Sequence, residues 1–336
     1  MRRHAGVILL LLASSASAEA LGATSSAYRQ ARPIADVDGA ADFSTYDASH
    51  KTLYVAREDR VTAIDTVTGL VTSKLAEAHR AHAIIALADG ILITESDTNK
   101  IIFRTLTGGL VATIDGGDKP DAAVLEPKSG LVVVMNHKSG DITLVDPISK
   151  TKVGSVMIGG TLEMAASDGG GLVYVNVQDR NEIAVVDVAK QAIVRRMPLS
   201  LCHQPSGLAF APDLGILMAV CDNDIAVIVD PVRGERPTSF AIGTGADDVM
   251  YDQARRRFLV PSGESGTLTI IDADRTGLHV AGNIPTRTGA RSGTIDPATG
   301  DVYLPSVAFN GKSADGRRAP VPGSFKVLVL KPSDRR

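Results

Sequence analysis

Tryptophan is absent from this chain, and the other aromatics amount to six Tyr and seven Phe. A groove for single-stranded nucleic acid stacks bases on aromatic faces and lines its floor with basic residues. Neither resource is abundant, since 35 Lys and Arg stand against 38 Asp and Glu. A formal charge of -3 also withholds the broad attraction for nucleic acid or anionic membranes that a basic protein has. Cysteine is nearly missing, with Cys202 and Cys221 as the pair. No C-x-x-C-H occurs, which excludes covalent c-type haem. Gly-rich phosphate loops, the G-x-S-x-G elbow and H-E-x-x-H are missing as well. Asp168-Gly169-Gly170-Gly171 is dense in glycine but reads as a plain turn.

Long apolar runs are confined to the start, MRRHAGVILLLLASSASAEA. Arg2 and Arg3 precede a short apolar stretch, and Ala16-Ser17-Ala18 and Ala18-Glu19-Ala20 both fit a small-x-small cleavage rule. This is the pattern of a secretory signal peptide over 1–18, with cleavage after 20 as the second option. Nothing later approaches the roughly 18 apolar residues of a membrane span. Loss of Arg2 and Arg3 takes the formal charge from -3 to -5. The expected location is the periplasm or outside the cell, where two cysteines favour a disulfide.

What is present is a repeat. A short strand ending in Asp recurs at Asp65, Asp146, Asp187, Asp230 and Asp272, with IIFRT at Thr105 and VLVL at Leu330 in the same place without the acid. The steps run from 40 to 43 residues, with a last step of 58. A second apolar strand precedes each copy: TLYVA, GILIT, GLVVV, GLVYV, GILMA, RFLVP and DVYLP. A third strand lies ahead of that, as in GLAFAPD (207–213), and turns such as EPKSG and DPATG separate them. Four short strands every 41 residues or so is the period of propeller blades. The predicted fold is therefore all-β, a seven-bladed β-propeller of four-stranded blades. Strands A to C of blade seven are found near the C-terminus, but KPSDRR is too polar to supply its D strand. ARPIADV (31–37) is read as that strand, closing the ring and removing free edges. The expected layout is a lead over 19–30, one propeller over 31–332 and a tail over 333–336. The long last step is read as a loop over about 308–323.

The repeated Asp residues open C–D turns, where a carboxylate accepts backbone N–H bonds, and are expected to be structural. The D–A and B–C loops share the other face, at the central channel, where binding groups concentrate. There the candidate ligand-binding residues are Asp118, Glu163, His203, Asp247, Arg287 and Arg291. His79, His82 and His203 are candidate metal ligands, joined by a carboxylate, so a divalent ion is the cofactor these residues suggest. The two arginines suit an anionic group, or else pair with Asp247 or Asp248 in the next blade. Cys202 opens strand A of blade five and Cys221 ends its strand B, which brings both to one loop face and predicts a disulfide between them.

YVAREDRVTAIDTVTGLV (54–71) and YVNVQDRNEIAVVDVAKQAIV (174–194) resemble the 40-residue YVTN-type propeller repeat. CHQPSGLAFAP (202–212), TRTGARSGTIDPATGDVYLP (286–305) and PGSFKVLVLKP (322–332) narrow the resemblance to exported YncE-like bacterial propellers. Thr161-Leu162 departs from a Lys-Pro-like pair there, and Gly300 stands where a His is common. The resemblance implies, for some members only, binding of a ligand or of single-stranded DNA, and the charge and the scarce aromatics argue against DNA here. The leading expectation is a non-enzymatic periplasmic module that binds a small molecule or a protein partner on its loop face. The alternative is a metal-dependent, lactonase-like hydrolase with its site in the channel.

Overall fold

The computed structural model describes residues 27–312 and 318–333, so the expected signal peptide and the last three residues of the chain lie outside it. Seven antiparallel sheets of four strands stand in a ring. Each follows the chain order A, B, C, D, as in blade three: Pro120–Glu126, Leu131–Asn136, Asp141–Asp146 and Thr151–Met157. One 3-10 turn, Gln178–Arg180, is the helical element among the described residues.

The middle strands are buried on both faces. Strand B of blade five, Ile216–Cys221, has all six residues buried. A side chain on either face of such a strand meets a neighbouring blade, so apolar residues fill it without alternation. Outer strands alternate, as Val71–Glu77 does, because one face meets solvent. The apolar core accordingly divides into seven clusters, each between two adjacent blades. Tyr46 of blade one stacks on Tyr303 of blade seven at 5.8 Å to complete the ring of contacts.

Blade seven is built from both ends of the chain. Lys326–Pro332 pairs with Val302–Ser306 on one side and with the N-terminal segment on the other. That segment starts earlier than expected: Tyr28–Gln30 pairs with Leu330–Pro332, and Ile34–Ala35 with Lys326–Val327. The closing strand is thus 28–35 rather than 31–37, and the end of the expected lead belongs to the blade. Pro33 has no N–H to give a ladder, and it falls in the break between the two paired stretches.

Arg57 of blade one locks this segment in place. Its guanidinium, fully buried, donates to Asp36 Oδ2 at 3.2 Å and to the carbonyls of Val37, Gly39 and Ala40 at 2.9, 3.0 and 2.7 Å. It also lies 3.6 Å over the Phe325 ring. Burial, with Arg60 nearby, pulls its pKa down to about 10, so it stays charged at neutral pH.

Two expectations need correction. Asp65, Asp146, Asp187 and Asp230 accept turn N–H groups as expected. In blade six, however, strand C runs on to Asp274, which takes the turn by accepting from Thr276 N. Asp272 instead pairs with Arg257 at 3.0 Å. The insertion in blade seven is not all loop, since Phe309–Lys312 pairs with Arg318–Pro320 as a small hairpin.

The disulfide joins Cys202 and Cys221 across 19 residues. Replacing both by Ser should cost about 3 kcal/mol, the entropy of a short loop released in the unfolded chain. Urea denaturation measures it, and an unchanged midpoint would show that the native contacts alone hold this corner. Deleting 28–35 should leave an exposed strand edge and an aggregating protein. Arg57→Met keeps the strand but strands Asp36 without its partner, for an expected loss of about 3–5 kcal/mol. Equal stability of Arg57→Met and the parent would mean that strand pairing suffices.

Candidate functional site

The A strands of blades one to six enter the ring in the same way. In blades one to five the first residue pairs with the end of strand B, and the register then skips before pairing resumes. Ala246 bridges Ser262 in blade six at the same point. The residue that follows is released from the ladder, and a bulge of this kind re-aims its side chain. Those residues are Asp42, His82, Asp121, Glu163, Ser206 and Asp247. Arg291 holds the seventh place, three residues ahead of strand Thr294–Ile295 as Asp247 is three ahead of Met250–Asp252. The entry itself is bent by left-handed residues at Arg80, Lys119, Gln204, Gly245 and Gly289. Freed carbonyls are met by neighbouring blades: Thr94 donates to Asp121 O, Asn176 to Ser206 O and Ser292 to Asp42 O.

Six of these side chains, Asp42, His82, Asp121, Glu163, Asp247 and Arg291, gather at the channel mouth. Arg291 reaches Asp247 Oδ2 at 3.4 Å and Asp42 Oδ1 at 3.2 Å. The other oxygen of Asp42 bonds His82 Nδ1, which also lies 3.0 Å from Asp121 Oδ1. His82 Nε2 donates to Ser96 Oγ at 3.0 Å. Asp121 Oδ2 is 3.7 Å from Lys119 Nζ and from His137 Nδ1. His137, at the end of strand B of blade three, reaches Glu163 Oε1 at 3.1 Å. The arc runs unbroken from Asp247 to Glu163 over blades six, seven, one, two, three and four.

Above it opens a cavity of ≈ 700 Å³, walled by Asp42, His82, Asp247 and Arg291 together with Glu58, Arg80, Asp222 and Glu264. A second cavity of ≈ 280 Å³ is lined by Phe43, Ala83, Met164 and Asp248, the next residues along the same A strands, and by Gly293.

Burial and crowding move the charges apart. Burial in the channel pushes Asp247 up to about 6; Arg291 opposes this, while Asp42, Glu163 and Asp121 add to it. Asp248 also rises to about 6 by burial, held back by the N–H groups of Gly293 and Val249. Burial would discharge His82, but the bonds from Asp121 and Asp42 outweigh it and carry the ring up to about 9. Asp121 is buried too, yet His82 keeps it below the ordinary carboxylate range. At neutral pH the mouth therefore holds carboxylates in excess of its cations. Two groups of donors have metal-ligand spacing, Asp42–His82–Asp121 and Asp121–His137–Glu163, each within 4.8 Å.

The candidates named from sequence separate clearly. Glu163, Asp247, Arg291 and His82 stand in the ring. Asp118 lies at the rim, 2.9 Å from Lys138 Nζ. His79, His203 and Arg287 are exposed. His203 meets Asn223 through its backbone N–H. The expected ligand trio is thus not assembled: His82 belongs to a cluster with Asp42 and Asp121, and neither His79 nor His203 joins a metal-spaced group among the described residues. The arginine pair is also split, and Arg291 takes the alternative role of pairing across blades. Asp42 and His137 fall on the loop face expected from the sequence without being singled out as ligands, and Asp121 and Ser206 are not among its residues. The signal that finds the ring residues is positional, one residue after the first of each A strand. Gly300 sits in an A–B turn on the opposite face with φ +77°, against Arg255, so a His there in relatives would not reach this ring.

No protein-family model matches the chain, and no curated protein matches it in sequence. Solved structures do match in shape. The chain is similar to the Kuenenia stuttgartiensis hydrazine synthase, with a TM-score of 0.70 and 14% identity over 86% of this chain and 97% of that one. It is similar to a chain of the mitotic checkpoint complex, with a TM-score of 0.69 and 14% identity over 99% of both. The fold is a β-propeller. At such identity the likeness carries the propeller ring and nothing of its chemistry. Among the described residues no helix is long and apolar enough to cross a membrane, and the propeller carries one disulfide, as fits an exported protein.

The Arg291 pairing makes a stability prediction. Arg291→Ala leaves Asp42 and Asp247 facing each other, and with half the arginine exposed the expected loss is about 1–2 kcal/mol. Asp247→Asn removes a like charge and should cost less than half as much. Equal losses in denaturation curves would show that the pair, not the crowding of acids, dominates.

Proposed function

We propose that the protein is an exported, YVTN-type propeller of the YncE-like kind that acts as a non-enzymatic binding module. Its contact is the channel mouth, and the ligand carries a cationic group. The observation behind this is the ring of unlike residues at equivalent blade positions, with Asp42, Asp121, Glu163 and Asp247 against Arg291 and His82. A sevenfold scaffold with sevenfold side chains would suit a symmetric partner, whereas an uneven ring suits one small asymmetric ligand. The excess of acids repels phosphate, which argues against single-stranded DNA. The cavity wall offers Phe309 as its aromatic, too little for the cage that quaternary ammonium groups prefer, so a primary amine fits better.

A second reading, a metal-dependent lactonase-like hydrolase, draws on the two His–carboxylate groups. Metal-stimulated opening of simple γ-lactones, absent in Asp121→Asn, would favour it.

The test uses putrescine, a short primary diamine, in calorimetric titrations from pH 5 to 8. Asp247 must be charged to attract it, so affinity should rise as pH passes through about 6 and level off above 7. Asp247→Asn should flatten that rise and weaken binding by roughly 1.5–3 kcal/mol, the worth of a charged hydrogen bond. Binding that ignores both pH and Asp247, or amide shifts confined to the A–B and C–D turns, would place the contact elsewhere.

A further inference from the structure

His82 and His137 are over-supplied with acceptors. The single Nδ1 of His82 faces Asp42 Oδ2 and, at 3.0 Å, Asp121 Oδ1. The single Nδ1 of His137 faces Glu163 Oε1 and Leu162 O, both at 3.1 Å, and Asp121 Oδ2 at 3.7 Å. One N–H serves one acceptor well, so a proton on each nitrogen leaves a carboxylate oxygen poorly satisfied. A divalent ion has no such limit, because it draws several donors to one point.

Three of the four His–carboxylate contacts have the spacing of an ion's ligands, and the fourth, Asp42 to His82, is closed and must part to admit one. Ligands about 2.0–2.1 Å from a tetrahedral centre lie about 3.3 Å from one another. The separations from His82 Nδ1 to Asp121, and from His137 Nδ1 to Asp121 and Glu163, run from 3.0 to 3.7 Å. The outer contact suits it too. His82 Nε2 bonds Ser96 Oγ at 3.0 Å, and a ring nitrogen held in this way fixes the tautomer and leaves Nδ1 free to ligate. Both imidazoles turn toward Asp121, whose two oxygens point one to each. Nitrogen mixed with carboxylate oxygen selects a zinc-like transition ion over calcium, which takes six to eight oxygens.

We propose that this arc holds two divalent transition-metal ions, one on Asp42, His82 and Asp121 and one on Asp121, His137 and Glu163, with the Asp121 carboxylate shared between them. Three protein ligands leave each ion a further position for water or a ligand donor, and Asp42 and His82 of the first site line the cavity. Lys119 Nζ, 3.7 Å from Asp121 Oδ2, is the cation that the second ion displaces. The proposal rests on the reading of the mouth as a cation-binding site and adds two metal ions to the amine.

The full exported protein, stripped with a chelator, is titrated with Co²⁺, read by its visible absorption, and with Zn²⁺ in competition. Two equivalents are expected. His82→Gln should abolish one and His137→Gln the other, while Asp121→Asn weakens both at least about 100-fold. Lys119→Met should tighten the second. Circular dichroism reports folding, and if Asp121→Asn unfolds, the His137→Gln variant decides. Uptake no greater than that of a folded Asp121→Asn, a single equivalent, or two equivalents retained in His137→Gln would overturn the assignment. Putrescine binding to the same stripped protein separates the two readings: diamine bound without Co²⁺ uptake ends the metal site alone, and neither bound ends both.

Discussion

The ring closes because the two ends of the chain share one sheet. A propeller blade buries its apolar side chains against its neighbours, and each of the seven clusters spans a seam between two blades. An open ring would leave one seam unmatched and the outermost strand edge unpaired. The pairing of Tyr28–Gln30 and Ile34–Ala35 with the last strand removes both faults. Arg57 then ties the same segment to blade one, across the seam where Tyr46 meets Tyr303. Its burial is tolerated because Asp36 and three carbonyls satisfy it.

Closure is what gathers the charges at the mouth. With the blades held at fixed angles, the residues at this position on six of the A strands share a common space. Side chains far apart along the chain become neighbours: Arg291 meets Asp42, and Asp121 lies between His82 and His137. The low-dielectric walls then couple their charges. Asp247 is pushed up by burial and by carboxylates from three other blades, while His82 is held in its charged form by two. On the opposite face acids such as Asp65 and Asp230 serve turns, and others pair with nearby arginines, as Asp252 does with Arg255 and Asp272 with Arg257.

Much of this is legible in the linear pattern, and some is not. The turn acids are readable because a local rule, a carboxylate accepting from the next two or three N–H groups, governs them. Asp272 breaks the pattern because strand C of blade six continues for two more residues, which no local signal announces. Glu163, Asp247, Arg291 and His82 can be found as loop-face residues. Asp118, His79, His203 and Arg287 look equally suitable in sequence, yet they lie a few residues to the N-terminal side of the released position and stay at the rim or in solvent. Asp121 escapes notice because it sits inside an apolar stretch, P-D-A-A-V-L, where a lone acid reads as a strand residue.

The sequence by itself determined the propeller, its blade number, the closing role of the N-terminal segment and the cysteine pair. Those features follow from strand period, turn chemistry and the count of strands left over, all of them local or additive. Only the tertiary structure decided which polar residues meet. The register skip that frees one side chain per blade depends on hydrogen bonds to strand B and to the neighbouring blade. Its outcome, a ring in which Asp121 joins two histidines, depends on distances across the channel that no spacing along the chain encodes.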